Sequence, residues 1–200
     1  MASRKRSELL YPSVADVERF HDRIISQRGT SGYNSHGLID IGLEWAKHTI
    51  TYYFPSPGLL QRAGAMMYGY VMFHPYADGN KRTALLTTDF FFFLNHYTLV
   101  ITEDAPEFVR DFYLSCIAEN ASAIEEIQKA CSWLRKRLVP LPSGMTRGLI
   151  GLLLRTSQLD NVGWEFILES WLENTAKRFE AFTKKNGGPT TVSPSHQSKT

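Results

Sequence analysis

Four consecutive phenylalanines, Phe90–Phe93, constrain this chain more than any other run. At about 3.6 residues per turn they point all round a helix, and a helix apolar on every side has to be buried. Core packing explains them better than stacking on a cofactor. The stretch Leu59–Phe73 reads the same way, because Ala63, Gly64, Ala65 and Gly69 are interleaved with larger apolar residues. That mixture suits a helix packed tightly on more than one side. Two central helices need others around them, so the pattern predicts an all-α bundle.

Amphipathic segments supply that wrapping. Ser13 with Asp16 forms an N-cap signal, and Val14, Val17, His21, Ile24 and Ile25 follow at helical spacing until Gly29. His21 lies on the apolar stripe and is expected to be a core histidine with one nitrogen satisfied. Gly29 to Gly37 is a loop by its turn residues. Leu38–His48 is helical in pattern, and the β-branched and aromatic hexamer Thr49–Phe54 predicts a short strand ended by Pro55 and Pro57. Tyr97–Ile101 predicts a second brief strand. Glu103–Glu119 and Ser122–Leu138 are two further amphipathic helices.

Past Leu138, Pro140–Gly144 has the composition of a linker. Met145–Ser157 and the stronger run Trp164–Phe182, with Trp164, Ile167, Leu168, Trp171, Leu172 and Phe179 on one face, predict a helical extension. From Asn186 the chain is rich in Gly, Pro, Ser and Thr and is expected to be disordered. The expected organisation is a body over 1–138, a helical extension over 139–184 and a tail over 185–200.

Composition removes several functions. The 200 residues are 43% hydrophobic, too apolar for a disordered chain. A formal charge of +2 lacks the strongly basic footprint of a nucleic-acid binder. The apolar runs Phe90–Leu94 and Leu149–Leu154 fall far short of the ~20 residues of a membrane helix, and the first residues lack the apolar stretch of a signal peptide. Arg4-Lys5-Arg6 reads as a solvated terminus. Two cysteines, Cys116 and Cys131, cannot build a disulfide framework and are expected to be inert buried thiols. A reducing, cytoplasmic setting follows as the expectation.

The chemistry concentrates in His74-Pro75-Tyr76-Ala77-Asp78-Gly79-Asn80-Lys81-Arg82, the polar break between the two central helices. Pro75 ends the first helix, and Gly79 permits a tight turn that aims the amides of residues 77–81 at one spot. That spot is the start of the next helix, which carries partial positive charge. Lys81 and Arg82 add full charges, and the Arg82 fork suits phosphate oxygens. Asn80 offers amide donors. Asp78 is the lone acid among these cations, a hard oxygen ligand suited to Mg²⁺ shared with phosphates. His74 titrates near neutrality and could take a proton from an incoming hydroxyl. Base, metal ligand, anion cradle and charge clamp together describe transfer of a phosphate group. Read one residue at a time, the same groups are a helix cap, a solvated first turn and an N-cap.

His74 to Arg82 resembles the His-Pro-Phe-x-Asp/Glu-Gly-Asn-Gly/Lys-Arg pattern of the Fic/Doc, or Fido, family. The flanks are similar to its death-on-curing branch: Phe20–Ile25, Gly37-Leu38, Asn80–Ala84, Leu94–Tyr97 and Trp133–Arg135, over about residues 11–138. The resemblance implies an all-α Fido bundle with a short β-hairpin flap. It implies transfer of phosphate or AMP from a nucleoside triphosphate such as ATP, with Mg²⁺, to a protein hydroxyl. Position by position, His74 becomes the base and Asp78 the Mg²⁺ ligand. Gly79, Asn80 and nearby amides become the anion hole, and Arg82 holds phosphate oxygens. Lys81 stands where adenylylating members have glycine. The toxin branch carries this lysine and phosphorylates a protein with the nucleotide reversed, so phosphate transfer is favoured over AMP transfer. Two departures keep AMP transfer open: Gly79 replaces the alanine of that toxin, and Tyr76 replaces phenylalanine as a core anchor whose hydroxyl is expected to find a partner. A non-catalytic module that binds phosphate through the same loop is the third alternative.

The resemblance also places a flap at Thr49–Phe54, expected to add a strand to an extended segment of the target protein. An antitoxin is the implied partner of the toxin branch. Residues 145–184 are expected to take that covering role in cis or to mediate homodimerisation. Ser115-x-x-x-Glu119-Asn120 matches an inhibitory pattern of the family loosely and is read as structural.

Overall fold

The computed structural model describes residues 8–27, 29–100 and 104–141. They lie in the first of two compact units, Met1–Leu152; the second, Leu153–Thr200, lies outside the described residues. The Arg4–Arg6 cluster, the Trp164–Phe182 run and the tail therefore also lie outside them.

The described unit is the expected all-α bundle. α1 (Val14–Gln27) opens on a reciprocal cap. The Ser13 hydroxyl accepts the Asp16 N–H at 3.2 Å, and Asp16 Oδ2 accepts the Ser13 N–H at 2.8 Å. Its stripe Val17, Phe20, His21 and Ile24 is buried. A short turn at His36–Leu38 leads to α2 (Ile41–Glu44), a wide π-turn (Trp45–Thr49) and α3 (Ile50–Tyr53). The two central helices are α4 (Leu59–Phe73) and α5 (Asn80–Leu94). β1 (Tyr97–Leu99), α6 (Ala105–Cys116), α7 (Ala123–Arg135) and β2 (Leu138–Pro140) complete it.

All four phenylalanines of α5 are buried, Phe91 and Phe92 completely. α4 packs against α5, α7 and α2, and α1 covers α5 from the other direction. The α2–α4 crossing depends on glycines. A Cβ on Gly69 would lie 2.8 Å from the Gly42 Cα, and one on Gly42 would strike the Tyr70 ring at 2.3 Å. No larger residue fits there without moving a helix. Cys116 and Cys131 are buried free thiols whose burial pushes them up to about 12 and about 11, as inert thiols require.

The small sheet pairs β1 with β2 antiparallel, Thr98 opposite Val139, across the intervening α6 and α7. Asp89 of α5 ties β1 to the core: it accepts the Leu99 N–H at 2.7 Å and the Thr98 hydroxyl at 3.2 Å.

Thr49–Tyr53 is helical, not the expected strand, and Phe54 is the extended residue that ends the helix. Ile39, Leu43, Ala46 and Ile50 recur at helical spacing and are all buried, so the stripe of α2 runs on through the segment. Arg62 of α4 donates to the carbonyls of Ala46 and Lys47, at 2.8 and 3.0 Å, and stabilises the wide turn. The β-forming side chains Tyr52 and Tyr53 are left exposed. With its backbone bonded internally, this segment does not supply the strand-adding flap expected there. β propensity yielded to tertiary packing.

Candidate active site

α4 ends on His74, whose backbone is left-handed with φ 45° and ψ 66°. A β-carbon-bearing residue adopts this at a cost of roughly 1–2 kcal/mol. Pro75 next to it supplies no N–H to continue the helix. A second chain segment holds the turn. The Asn34 side-chain amide donates to the carbonyls of both His74 (2.9 Å) and Tyr76 (2.8 Å). The backbone N–H groups of Asn34 and Ser35 donate to Pro75, and that of Ala77 donates to Gly32. Residues 32–35 thus lie antiparallel to 75–77, bridging Tyr33 to Tyr76.

Tyr76 anchors this loop. Its ring is buried and stacked on His21 at 3.5 Å, and His21 Nδ1 meets the Thr83 hydroxyl at 3.3 Å. His21 is therefore the core histidine expected, with burial lowering its pKa. The Tyr76 hydroxyl is buried without a hydrogen-bond partner among the described residues, contrary to expectation. Packing room for the ring decides this position, and burial raises the phenol's pKa.

The Asn80 side chain has a different task from the one expected. It is buried, accepts the Tyr76 N–H at 3.0 Å and donates to the Tyr76 carbonyl at 2.7 Å. Its amide thus closes the loop on Tyr76. Gly79 precedes it at φ 77°, in the left-handed region, where the sequence predicted a tight turn. A Cβ there would point at Ile25 and His21, at 3.2 and 3.4 Å, in the packing under the loop.

α5 then starts inside a cleft of about 410 Å³, with Asp78, Lys81 and Arg82 around its first turn and His74 beside it. The first N–H groups of a helix lack intrahelical acceptors and carry the positive end of its dipole. Leu85 and the first turns of α6, through Pro106 and Val109, form an apolar wall.

The electrostatics sort the titrating groups. Asp78 accepts the N–H groups of Gly79 (2.5 Å) and Thr30 (3.3 Å), and these two bonds hold its carboxyl below the usual range, with Arg82 adding to them. Arg82 Nη2 lies 3.8 Å from Asp78 Oδ1. Burial, then the Lys81 charge, lowers the pKa of His74, which keeps the imidazole neutral near pH 7. Its Nε2 is buried and has no partner among the described residues. In the tautomer protonated at Nδ1, the lone pair of the neutral ring lies on this nitrogen. Tyr113 of α6 stacks on the His74 ring at 4.6 Å, and Lys81 Nζ sits 4.6 Å from the centre of the same tyrosine.

The loop thus sets a histidine, an aspartate and two cations at a helix start. Residues 11–92 match the Fic/DOC family. The matched span takes in α1, the Asn34 loop, α2, α3, α4 and most of α5, and stops before α6. The Fic/DOC family is known for transferring nucleotide-derived groups to proteins, and a transferase-type activity is what it implies. No curated protein matches the chain.

His74, Asp78, Gly79, Asn80, Lys81 and Arg82 line one cleft. Nothing local in the sequence singles out Asn34, Thr30 or Tyr113. Gly29 and Gly32 mark the loop of the first two as turn-forming, but its pairing with residues 75–77 has no local sign. Tyr113 sits on an ordinary amphipathic helix.

Among the described residues no group of three His, Cys, Asp or Glu side chains could hold a metal alone. Mg²⁺ nevertheless suits this site, because it keeps waters and takes one or two carboxylates together with substrate phosphates. Asp78 is an ionised carboxylate beside the helix start that would receive those phosphates. Among the described residues no helix is long and apolar enough to cross a membrane.

Proposed function

We propose that this protein transfers the γ-phosphoryl group of a nucleoside triphosphate, ATP in the first instance, to a hydroxyl side chain of a target protein. One observation carries the reading: a neutral histidine, an ionised aspartate, two cations and a helix N-terminus converge on one cleft. The target hydroxyl gives its proton to His74 Nε2 as its oxygen bonds to phosphorus, and the bond to the nucleoside diphosphate breaks. The N–H groups at the start of α5 and the Arg82 guanidinium receive the phosphate oxygens, whose charge grows during transfer. Asp78 would hold Mg²⁺, which when bound neutralises phosphate charge. Pre-setting the turn at His74 and Gly79 spares the site reorganisation during the reaction.

Lys81 favours phosphate over AMP transfer, following the death-on-curing pattern Asn80-Lys81-Arg82. Adenylylation is the second reading, because Gly79 departs from that branch. Its force is reduced by the direction a side chain would take there, toward Ile25 and His21. Incubating the chain with lysate and ATP labelled at the α or the γ position separates the readings. Transfer of γ label alone, lost in His74→Ala, is expected. Transfer of α label would establish adenylylation, and labelled ATP bound without transfer would leave a phosphate-binding module.

A further inference from the structure

One aromatic ring touches both groups that flank the reacting position. Tyr113, half-buried on α6, stacks on the imidazole of His74 with centroids 4.6 Å apart and planes 22° apart. The ammonium of Lys81, from the first turn of α5, lies 4.6 Å from the centre of the same ring. These three residues come from three different helices, so the grouping is a product of how α4, α5 and α6 meet.

Two physical effects act through this ring. A long lysine side chain in water samples many rotamers, and a cation held over an aromatic face loses most of them. The stacked face also restricts the imidazole to one plane, on a residue whose backbone is already in the left-handed region. We propose that Tyr113 is a positioning residue for the transfer: its ring seats His74 and Lys81 together, so that base and cation face the cleft at a fixed spacing. This rests on the transferase reading above. The ring does the seating, and the hydroxyl is dispensable.

A ring that only fills space between helices would be replaced equally well by leucine. The test therefore compares Tyr113→Phe, which keeps the aromatic face, with Tyr113→Leu, which keeps the apolar bulk alone. In ¹H–¹³C spectra of the full chain, the ε-methylene protons of Lys81 are expected upfield, shifted by the ring above which they lie. The assignment is made by Lys81→Arg. The shift persists in Tyr113→Phe and is lost in Tyr113→Leu. In the transfer assay, Tyr113→Phe stays within about twofold of wild type, and Tyr113→Leu loses roughly tenfold in kcat with KM little changed.

Lys81 methylene protons at ordinary positions in the wild type would overturn the seating. So would a Tyr113→Leu protein as active as Tyr113→Phe. If no variant, wild type included, transfers label from ATP, the transferase reading fails instead, and the Lys81 shifts still decide whether the ring seats this cation. The wild-type shift is read without any substitution at Tyr113, so poor folding of the leucine variant does not shield the idea.

Discussion

Asp89 should make the stability of this protein fall as pH rises through the mildly acidic range, and Asp89→Asn should abolish that fall. The carboxyl is 3% exposed on the inner face of α5, and burial pushes it up to about 7, against a usual value of 3.8. Bonds from Leu99 N–H and the Thr98 hydroxyl oppose the shift and do not cancel it. Below about pH 3 both states hold most of the proton. Between about 4 and 7 the unfolded chain releases it while the native state keeps it, so the native state loses ground with every unit. A rise from 3.8 to about 7 corresponds to about 4 kcal/mol, since a tenfold change in proton affinity is worth about 1.4 kcal/mol. Above about pH 7 the effect is complete and flat. An asparagine keeps an oxygen for the Leu99 N–H and has no proton to release. Denaturant unfolding of both proteins from about pH 4 to 8 gives two stability curves. Other groups cancel in their difference, which is expected to rise by a few kcal/mol in favour of the variant. A difference independent of pH would refute the reasoning, since it would mean that Asp89 keeps its ordinary proton affinity in the fold.

Other substitutions test the corrected helix and the site. Ile50→Ala should cost about 2–4 kcal/mol in denaturant unfolding, because Ile50 is fully buried, whereas Tyr52→Ala, at an 88% exposed position, should stay within about 0.5 kcal/mol. Equal costs would contradict the helical reading of this segment. Asn34→Ala removes both side-chain bonds that hold the turn at His74 and Tyr76. It should lower kcat by roughly tenfold or more with a stability loss of only about 1–2 kcal/mol; unchanged turnover would show that the turn holds itself. Lys81→Gln removes a charge that lowers the His74 pKa. The acid limb of the kcat/KM profile, below 6.5 in the wild type, should therefore move up toward 6.5. A limb that stays put or moves down would exclude His74 as the titrating base.

Elements governed by neighbours in the chain are legible in the sequence. The cap at Ser13 and Asp16, the stop at His74-Pro75 and the left-handed turn at Gly79 each depend on residues within a few positions. The same applies to the buried helix of four phenylalanines, whose meaning lies in the helical period itself. The nine residues His74–Arg82 carry the proposed chemistry within one stretch, because a helix start, its cations and its acid are assembled locally.

What the tertiary structure decided lies at longer range. Thr49–Tyr53 is helical because Ile50 completes a stripe buried against the bundle and Arg62 binds the turn before it. Asn80 spends its side-chain amide on Tyr76, which closes the loop. Asn34 reaches residues 74 and 76 from some forty positions away, and Tyr113 reaches His74 and Lys81 from another helix. Asp89 takes its proton affinity from complete burial, which no neighbour in the chain announces. Helical period, capping and turn chemistry act over about four residues, and the sequence shows them directly. Burial, like-charge proximity and ring contact depend on which distant segments meet, and only the packed bundle determines those.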